Sequence, residues 1–287
     1  MSKLTVNRVV MIIMVFHLAG CGKKAGETGT VSLFNGKDFS GWYTWIARPD
    51  SSVEVPGMVR DAKGHYTEPI GLNKDPMGVF SVVEEDGAPA IRISGQIMGI
   101  LVTDKEYENY HLKLQFKWGN KKYPPRQNEP RDSGILYNSI GHEGAWYGVW
   151  MKSIEYQVNE KEVGDIYAVD TVFIDIPAVK DSAGNYRYRQ GAEKVTFSPA
   201  IQHCAHDADY EYPAGQWNTV EIYTINGRSV HVVNGKVNNR PENIRCYVNG
   251  EEVTLSKGKI QLQSEGSEVF YRDITIAPIR EIPHELL

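Results

Sequence analysis

The fold is decided by one stretch, Lys152-Ser153-Ile154-Glu155-Tyr156-Gln157-Val158-Asn159-Glu160. Its apolar residues alternate with polar ones, so that Glu155, Gln157 and Asn159 share one side of an extended chain. This period of two predicts a strand with its other face on a core. On a solvated face these polar groups would mean little. On the concave face of a curved sheet the carboxylate of Glu155 and the carboxamide of Gln157 would form the floor of a sugar site, because fixed polar groups orient a hydroxyl-rich ligand.

The rest of the chain favours the same class of structure. Short alternating or β-branched runs are separated by Gly, Asn, Asp and Pro, and no helix-period segment interrupts them after the N-terminal region. Residues 110–118 form the strongest run, and Asn226-Gly227 and Asn234-Gly235 predict hairpin turns. We predict an all-β jelly-roll sandwich of two antiparallel sheets. Residues 51–76 and 161–213 are long and polar, and we expect them to be loops around the ligand face.

Composition restricts the class of protein. The chain is 41% hydrophobic and 10% aromatic, as globular proteins are, and its net charge is -5. No basic stripe is visible, which argues against nucleic acid as the main partner.

The N-terminus predicts export. Lys3 and Arg8 precede a short apolar run, and Leu18-Ala19-Gly20-Cys21 resembles a bacterial lipoprotein box. We expect residues 1–20 to be a lipoprotein signal peptide, Cys21 to carry lipid and residues 21–31 to be a tether. A single domain then spans residues 32–280, with a tail at 281–287. The protein would be anchored to the membrane of the bacterial envelope, on its periplasmic or cell-surface side. The alternative is an ordinary signal peptide that contains Cys21.

Two further cysteines, Cys204 and Cys246, follow the predicted lipid anchor. In an exported protein they are a candidate disulfide, and the alternative is two free buried thiols. The segment His203-Cys204-Ala205-His206-Asp207 has metal-binding residue types. Its spacing matches no structural zinc pattern, so the disulfide is the preferred interpretation.

Several short motifs occur in an order that resembles one known family. The segments are Leu33-Phe34-Asn35-Gly36-Lys37-Asp38-Phe39-Ser40-Gly41-Trp42, Arg131-Asp132-Ser133-Gly134-Ile135, Ile154-Glu155-Tyr156-Gln157-Val158, Gly215-Gln216-Trp217-Asn218-Thr219-Val220, Val233-Asn234-Gly235, Gly258-Lys259-Ile260-Gln261-Leu262-Gln263 and Phe270-Tyr271-Arg272-Asp273-Ile274. Together they resemble the DUF1080 family, or 3-keto-disaccharide hydrolase domain. The resemblance implies a concanavalin A-like jelly roll with a concave sugar-binding face, and cleavage of glycosides oxidised to a ketone at C3. The chain departs from the common pattern near Glu265, where many members carry His or Asp.

A ketone at C3 acidifies the proton on C2, so a base can remove it and the resulting enediolate can expel the C1 substituent. This route requires a base, a group that stabilises the enolate oxygen, and a proton donor. We expect Glu155 to be the base, or alternatively to hydrogen-bond sugar hydroxyls only. Glu265 continues the two-residue period of Gln261 and Gln263, which makes it the candidate acid on the same face.

Other candidates come from loops and neighbouring strands. Arg131 is expected to polarise the ketone, or to form a loop salt bridge. His142, in a glycine-flanked turn, is a candidate acid or metal ligand, or a solvated residue. The expected substrate-binding residues are Gln157, Asp132, Gln263, Tyr137 and Trp146. Whether a divalent cation assists is left open.

Two alternative functions compete with this interpretation. Glu155-x-Gln157-x-x-Glu160 resembles the strand of laminarinase-type retaining glycoside hydrolases, in which two carboxylates stand about 5 Å apart. The central Asp of that pattern is Gln157 here, and on a regular strand Glu160 would point away from Glu155. A non-catalytic surface carbohydrate-binding module would present the same polar face.

Overall fold

A computed structural model describes residues 29–287. The predicted signal peptide and the lipid site at Cys21 lie outside these residues and stay predictions. In chain order the strands are β1 (Val31–Ser32), β2 (Trp42–Ile46), β3 (Gly71–Leu72), β4 (Phe80–Glu85), β5 (Ala88–Ile93), β6 (Gly99–Thr103), β7 (Tyr107–Glu108), β8 (Tyr110–Lys122), β9 (Asp132–Ile140), β10 (Lys152–Asn159), β11 (Ile166–Val169), β12 (Val172–Lys180), β13 (Tyr186–Tyr188), β14 (Lys194–Phe197), β15 (His203–Cys204), β16 (Asn218–Ile225), β17 (Arg228–Val233), β18 (Lys236–Asn239), β19 (Glu242–Val248), β20 (Glu251–Thr254), β21 (Lys257–Ser264) and β22 (Ser267–Pro278). One short 3₁₀ helix, His284–Leu286, follows.

The strands form three antiparallel sheets. The order in the eight-stranded sheet is β18-β17-β16-β8-β22-β5-β4, with β1 paired to β22. The order in the nine-stranded sheet is β15-β11-β10-β9-β21-β6-β2-β3, with β7 paired to β21. A five-stranded sheet, β13-β12-β19-β20 with β14 on β12, stands beside them. The predicted all-β jelly-roll sandwich of antiparallel sheets is confirmed, with this smaller sheet as an addition.

The main core lies between the two large sheets. Alternate side chains of β8, including Leu112 and Phe116, pack in one cluster with Ile154 and Tyr156 of β10 and Leu262 of β21. Burying such a contiguous apolar surface is the main stabilising contribution to the fold. Because side chains alternate across a strand, the polar residues of β10 must point to the opposite face of the nine-stranded sheet.

The predicted hairpins are present. Asn226-Gly227 connects β16 to β17, and Asn234-Gly235 connects β17 to β18. Both asparagines have φ of 48°, and both glycines also have positive φ, as two-residue hairpin turns require. In β10, the register against β9 shifts once, between Lys152 and Ile154, and then continues unbroken to Asn159.

Two sequence-based expectations are corrected. Residues 161–213 are not one long loop, since they contain β11 to β15. Cys204 and Cys246 are buried free thiols and form no disulfide. They lie on β15 and β19, in different sheets, where Cys204 pairs with Ile166 and Cys246 with Val172. In the described part of the chain, no helix is long and apolar enough to cross a membrane.

Candidate active site

A pocket of about 340 Å³ lies on the outer face of the nine-stranded sheet. Glu155 and Gln157 of β10 form its floor together with Asn159, and Asp132 of β9 joins them. The strand phase that places Ile154 in the core turns these polar side chains into the pocket. The pocket volume suits a small ligand such as one sugar ring.

Glu155 is a buried carboxyl group, with 7% of its surface exposed. Burial raises its pKa to about 8, and the negative charge of Glu265 adds to this rise. Gln263 and Arg126 lower the pKa by smaller amounts. A carboxyl group that titrates near neutral pH can both accept and donate a proton, which is the property required of a catalytic acid or base.

Gly134 explains how Glu155 meets Gln263 across β9. Gly134 lies opposite Gln157 in the ladder, on the strand between β10 and β21. A Cβ at this position would stand 2.5 Å from an oxygen of Glu155 and 2.5 Å from an oxygen of Gln263. Only glycine leaves room for these two side chains to converge, which is a frequent role of glycine inside a strand.

Arg126 organises the other acids of the pocket. Its guanidinium donates to Glu265 at 2.8 Å and also to Asp132, and it lies 3.1 Å from Glu129. Burial raises the pKa of Asp132 well above its ordinary value, as does the charge of Glu265, although Arg126 opposes the rise. Burial likewise raises the pKa of Glu265. Because one cation faces several buried carboxyl groups, retention of a proton among them is favoured over full ionisation.

Several buried polar atoms around the pocket have no partner within the described chain. They are Asp132 Oδ1, Gln157 Oε1, Asn159 Oδ1, and both amide atoms of Gln263. An unpaired buried polar group costs about 1–3 kcal/mol, so a cluster of them in one place is expected to serve a ligand. Acceptors and amide donors that converge in this way suit sugar hydroxyls.

Aromatic side chains form the pocket wall. Trp146, Tyr147, Trp150 and Tyr167 line it, and Tyr147 is 80% exposed. The turn that carries Tyr147 is closed by reciprocal backbone hydrogen bonds between Trp146 and Trp150, at 2.9 and 3.0 Å. The ring faces of exposed aromatic residues are suited to packing against the C–H faces of a sugar.

The structure brings together most of the residues that the sequence singled out. Glu155, Glu265, Gln157, Asp132 and Trp146 line the pocket, and Gln263 adjoins Glu155. Their roles in catalysis or binding stay predictions.

Three predicted residues lie elsewhere. Arg131 is paired with Glu160 at 2.9 Å and donates to the Gly119 carbonyl, so it does not reach the pocket, and Arg126 supplies the guanidinium there. His142 is exposed in the turn after β9 and does not line the pocket. Tyr137 is fully buried between the sheets, where its hydroxyl bonds His231 at 3.0 Å. Tyr137 is in phase with core-facing Ile135, which excludes it from the pocket face.

The segment His203-Cys204-Ala205-His206-Asp207, which has metal-binding residue types, directs its two histidines to a carboxylate of the protein. Buried Asp165 accepts hydrogen bonds from His203 at 2.6 Å and from His206 at 2.5 Å. Burial alone would raise the pKa of Asp165, but these hydrogen bonds offset it and hold the pKa below its ordinary value. Among residues 29–287, no group of three or more His, Cys, Asp or Glu side chains is arranged to hold a metal ion.

Sequence reasoning missed Arg126, Tyr167 and Gln202, which also line the pocket. Arg126 lies in an irregular segment between β8 and β9, where no periodicity indicates direction. Tyr167 and Gln202 lie in the region that was expected to be a loop.

The fold and this polar pocket define a jelly-roll domain with a candidate ligand site. A sequence model of the 3-keto-alpha-glucoside-1,2-lyase-like domain matches residues 29–277. The chain therefore belongs to this family, as its motifs indicated, and has a carbohydrate-related function. No curated protein matches it.

Solved structures with similar folds include two candidate glycosyl hydrolases from Parabacteroides distasonis. The first is 19% identical, with 88% of this chain and 94% of the other covered and a TM-score of 0.47. The second is 20% identical, with 72% and 93% covered and a TM-score of 0.43. The carbohydrate binding module CBM66 from Bacillus subtilis is 8% identical, with 69% and 91% covered and a TM-score of 0.39. At such scores these similarities add nothing to the function.

Proposed function

We propose that the protein cleaves 3-keto-glycosides by removing the proton on C2, with Glu155 as the base. The observation that carries this proposal is the buried Glu155 carboxyl group, with a pKa raised to about 8, on the floor of a pocket lined by unpaired polar atoms. A base of this pKa is matched to a C–H proton acidified by a neighbouring ketone.

The reaction proceeds in two steps, proton removal and then elimination. Glu155 takes the C2 proton, and the C–H electron pair forms a C2=C3 enediolate. That electron pair then forms a C1=C2 double bond, the ketone at C3 returns, and the C1–O bond breaks. The leaving oxygen takes a proton from Glu265 or Asp132, whose raised pKa values allow them to carry one. The product is an unsaturated 3-keto sugar, and water addition to it gives the hydrolysis product.

Other residues bind and position the substrate. Gln157, Asn159 and Gln263 offer amide groups to the ring hydroxyls, and Trp146 and Tyr147 offer ring faces to its C–H surface. Arg126 supplies positive charge beside the enediolate oxygen while it holds Asp132 and Glu265.

The laminarinase-type alternative requires a second carboxylate that faces Glu155. That mechanism needs Glu160 near Glu155, yet Glu160 is paired with Arg131 and is absent from the pocket lining. The Glu155–Glu160 pair therefore does not supply the two facing acids of a retaining hydrolase.

The test offers the purified domain a plain disaccharide and its 3-keto derivative, each with and without a chelator. We expect cleavage of the oxidised sugar only, with the unsaturated 3-keto product seen by mass spectrometry or ultraviolet absorbance. Cleavage of the plain sugar would contradict C2 proton abstraction. Binding of both sugars without turnover would identify a carbohydrate-binding module instead. Loss of turnover with chelator would add a divalent cation to the mechanism.

The cellular setting is also part of the proposal. Because Leu18-Ala19-Gly20-Cys21 resembles a lipoprotein box, we expect this activity at the bacterial envelope, with the domain tethered through lipid on Cys21. Metabolic labelling with a fatty-acid analogue tests this, because Cys21→Ala should abolish the label.

A further inference from the structure

A second cavity of about 750 Å³ adjoins the pocket around Glu155. Arg126 lines both spaces, and the consecutive residues Glu265 and Gly266 line one each. The two spaces therefore border each other at Arg126, and we call them the two compartments.

The boundary between the compartments is firmly built. Arg126 N donates to the Tyr123 carbonyl at 3.0 Å, and Tyr123 N donates to the Gly266 carbonyl at 2.8 Å. Gly266 N in turn donates to the Gly95 carbonyl at 3.0 Å. A Cβ on Gly266 would stand only 2.9 Å from Arg126 Cβ, so the arginine stem packs directly on this glycine. A ligand that occupies both compartments must pass this fixed point.

Both polar and apolar residues line the second compartment, and Ile97 among them is buried. Its carboxylates are already engaged: Asp50 accepts from Ser52 N at 2.8 Å, and Asp61 accepts from His65 N at 2.9 Å. Arg48 is exposed, and its guanidinium has no ion pair or hydrogen bond within residues 29–287. Arg48 therefore has donors available for a hydroxyl-rich ligand.

We propose that this second compartment is the leaving-group subsite, and that Arg48 determines preference for a leaving group large enough to reach it, such as a second sugar ring. The inference rests on the proposed function, since it assigns the two sides of the bond that breaks. The 3-keto ring lies over Glu155, the C1–O bond lies near Arg126 and Glu265, and the leaving group extends toward Arg48. This arrangement places Glu265 beside the oxygen that must be protonated.

The test measures binding by calorimetry in the Glu155→Gln background, where turnover should be absent. Two ligands are compared: a 3-keto-disaccharide and the methyl glycoside of the same 3-keto sugar, which lacks the second ring. The parent variant should prefer the disaccharide. Adding Arg48→Ala should reduce that preference about tenfold, because a charged donor to the second ring is lost. The control is Arg228→Ala, an exposed arginine on β17 of the other sheet, which should leave the preference unchanged.

The outcomes separate the two proposals. The subsite proposal is overturned if the Glu155→Gln protein binds both ligands with equal affinity. It is also overturned if Arg48→Ala leaves the preference for the disaccharide unchanged. Turnover of either ligand by the Glu155→Gln protein counts against Glu155 as the base. The subsite is then tested by the ratio of kcat/KM for the disaccharide to that for the methyl glycoside, and a ratio that Arg48→Ala leaves unchanged overturns it. A collapse of preference with Arg48→Ala supports the subsite even if chemistry proves to use another base.

Discussion

Two buried titratable groups, His231 in the core and Glu155 in the pocket, show what distinguishes a structural polar group from a candidate catalytic one. His231 is fully buried, and burial lowers its pKa to about 3. Its Nε2 pairs with the Tyr137 hydroxyl at 3.0 Å and its Nδ1 with the Gly164 carbonyl at 3.2 Å. A neutral imidazole has one donor and one acceptor, so its hydrogen-bonding capacity is filled.

Glu155 is also buried, and it is also held mainly uncharged at neutral pH, because its pKa is raised to about 8. Its neighbours, however, keep unpaired atoms, and a cavity opens beside it. The comparison teaches that burial and a shifted pKa do not by themselves indicate a functional site. A functional site is indicated when unpaired hydrogen-bonding atoms also lie beside an accessible cavity.

The largest expected effect comes from Glu155→Gln. Loss of the base should reduce turnover of a 3-keto-disaccharide about a thousandfold, since general base catalysis contributes roughly 10²–10⁴. The matched control is Glu160→Gln, close in sequence but paired with Arg131 outside the pocket, which should keep turnover. Normal rates for Glu155→Gln, measured on protein with a native circular dichroism spectrum, would remove Glu155 from the mechanism.

Gly134→Ala should lower kcat about a hundredfold, because the new methyl group forces Glu155 and Gln263 apart and small misplacements are costly. Gly258→Ala is the comparison: its Cβ would meet the Asn138 backbone at 2.3 Å, away from the pocket. That variant should lose thermal stability while its folded fraction keeps its kcat. Equal losses of kcat in both variants would contradict a specific role for the Gly134 gap.

The pH dependence of kcat/KM should show the titration of Glu155. The base must be ionised, and its pKa is about 8, so the rate should rise about tenfold per pH unit below pH 8 and level off above it. Initial rates between pH 6 and 9.5 check this. A rate that falls as pH increases through 8 would instead assign Glu155 as the acid.

His231 and Glu155 should make the free energy of unfolding depend on pH in opposite directions. His231 has a folded pKa below its unfolded value, so its contribution to the free energy of unfolding is complete above pH 6.5 and is lost as pH falls toward 3. Glu155 has a raised folded pKa, so its contribution is complete below pH 4.5 and is lost as pH rises through 8. Between pH 6.5 and 5, His231→Gln should therefore gain stability on acidification relative to wild type, by about 1.4 kcal/mol per pH unit. Urea unfolding at each pH measures it, and parallel wild-type and variant curves would contradict it.

Local alternation was sufficient to predict the sandwich and the direction of Glu155, Gln157 and Glu265, because side-chain direction in a strand depends only on phase. The same rule would have placed Tyr137 in the core, since it is in phase with Ile135. Arg126 and Arg131 lie five residues apart in irregular chain, and only tertiary contacts decide which one enters the pocket. The strands β11 to β15 were missed, although Val172, Ile174 and Ile176 of β12 are buried in alternation with less buried residues and indicate a strand. The Gly, Pro and Asp residues around these runs favoured a loop instead.

The single register shift at the start of β10 has a consequence for how this site can change. It lies between the aromatic turn of residues 146–150 and the unshifted ladder that carries Glu155. An insertion or deletion in that turn can be absorbed at the irregularity and need not be transmitted to the following residues. The length of the aromatic turn can therefore be redesigned to admit other ligands while Glu155 keeps its position in the ladder.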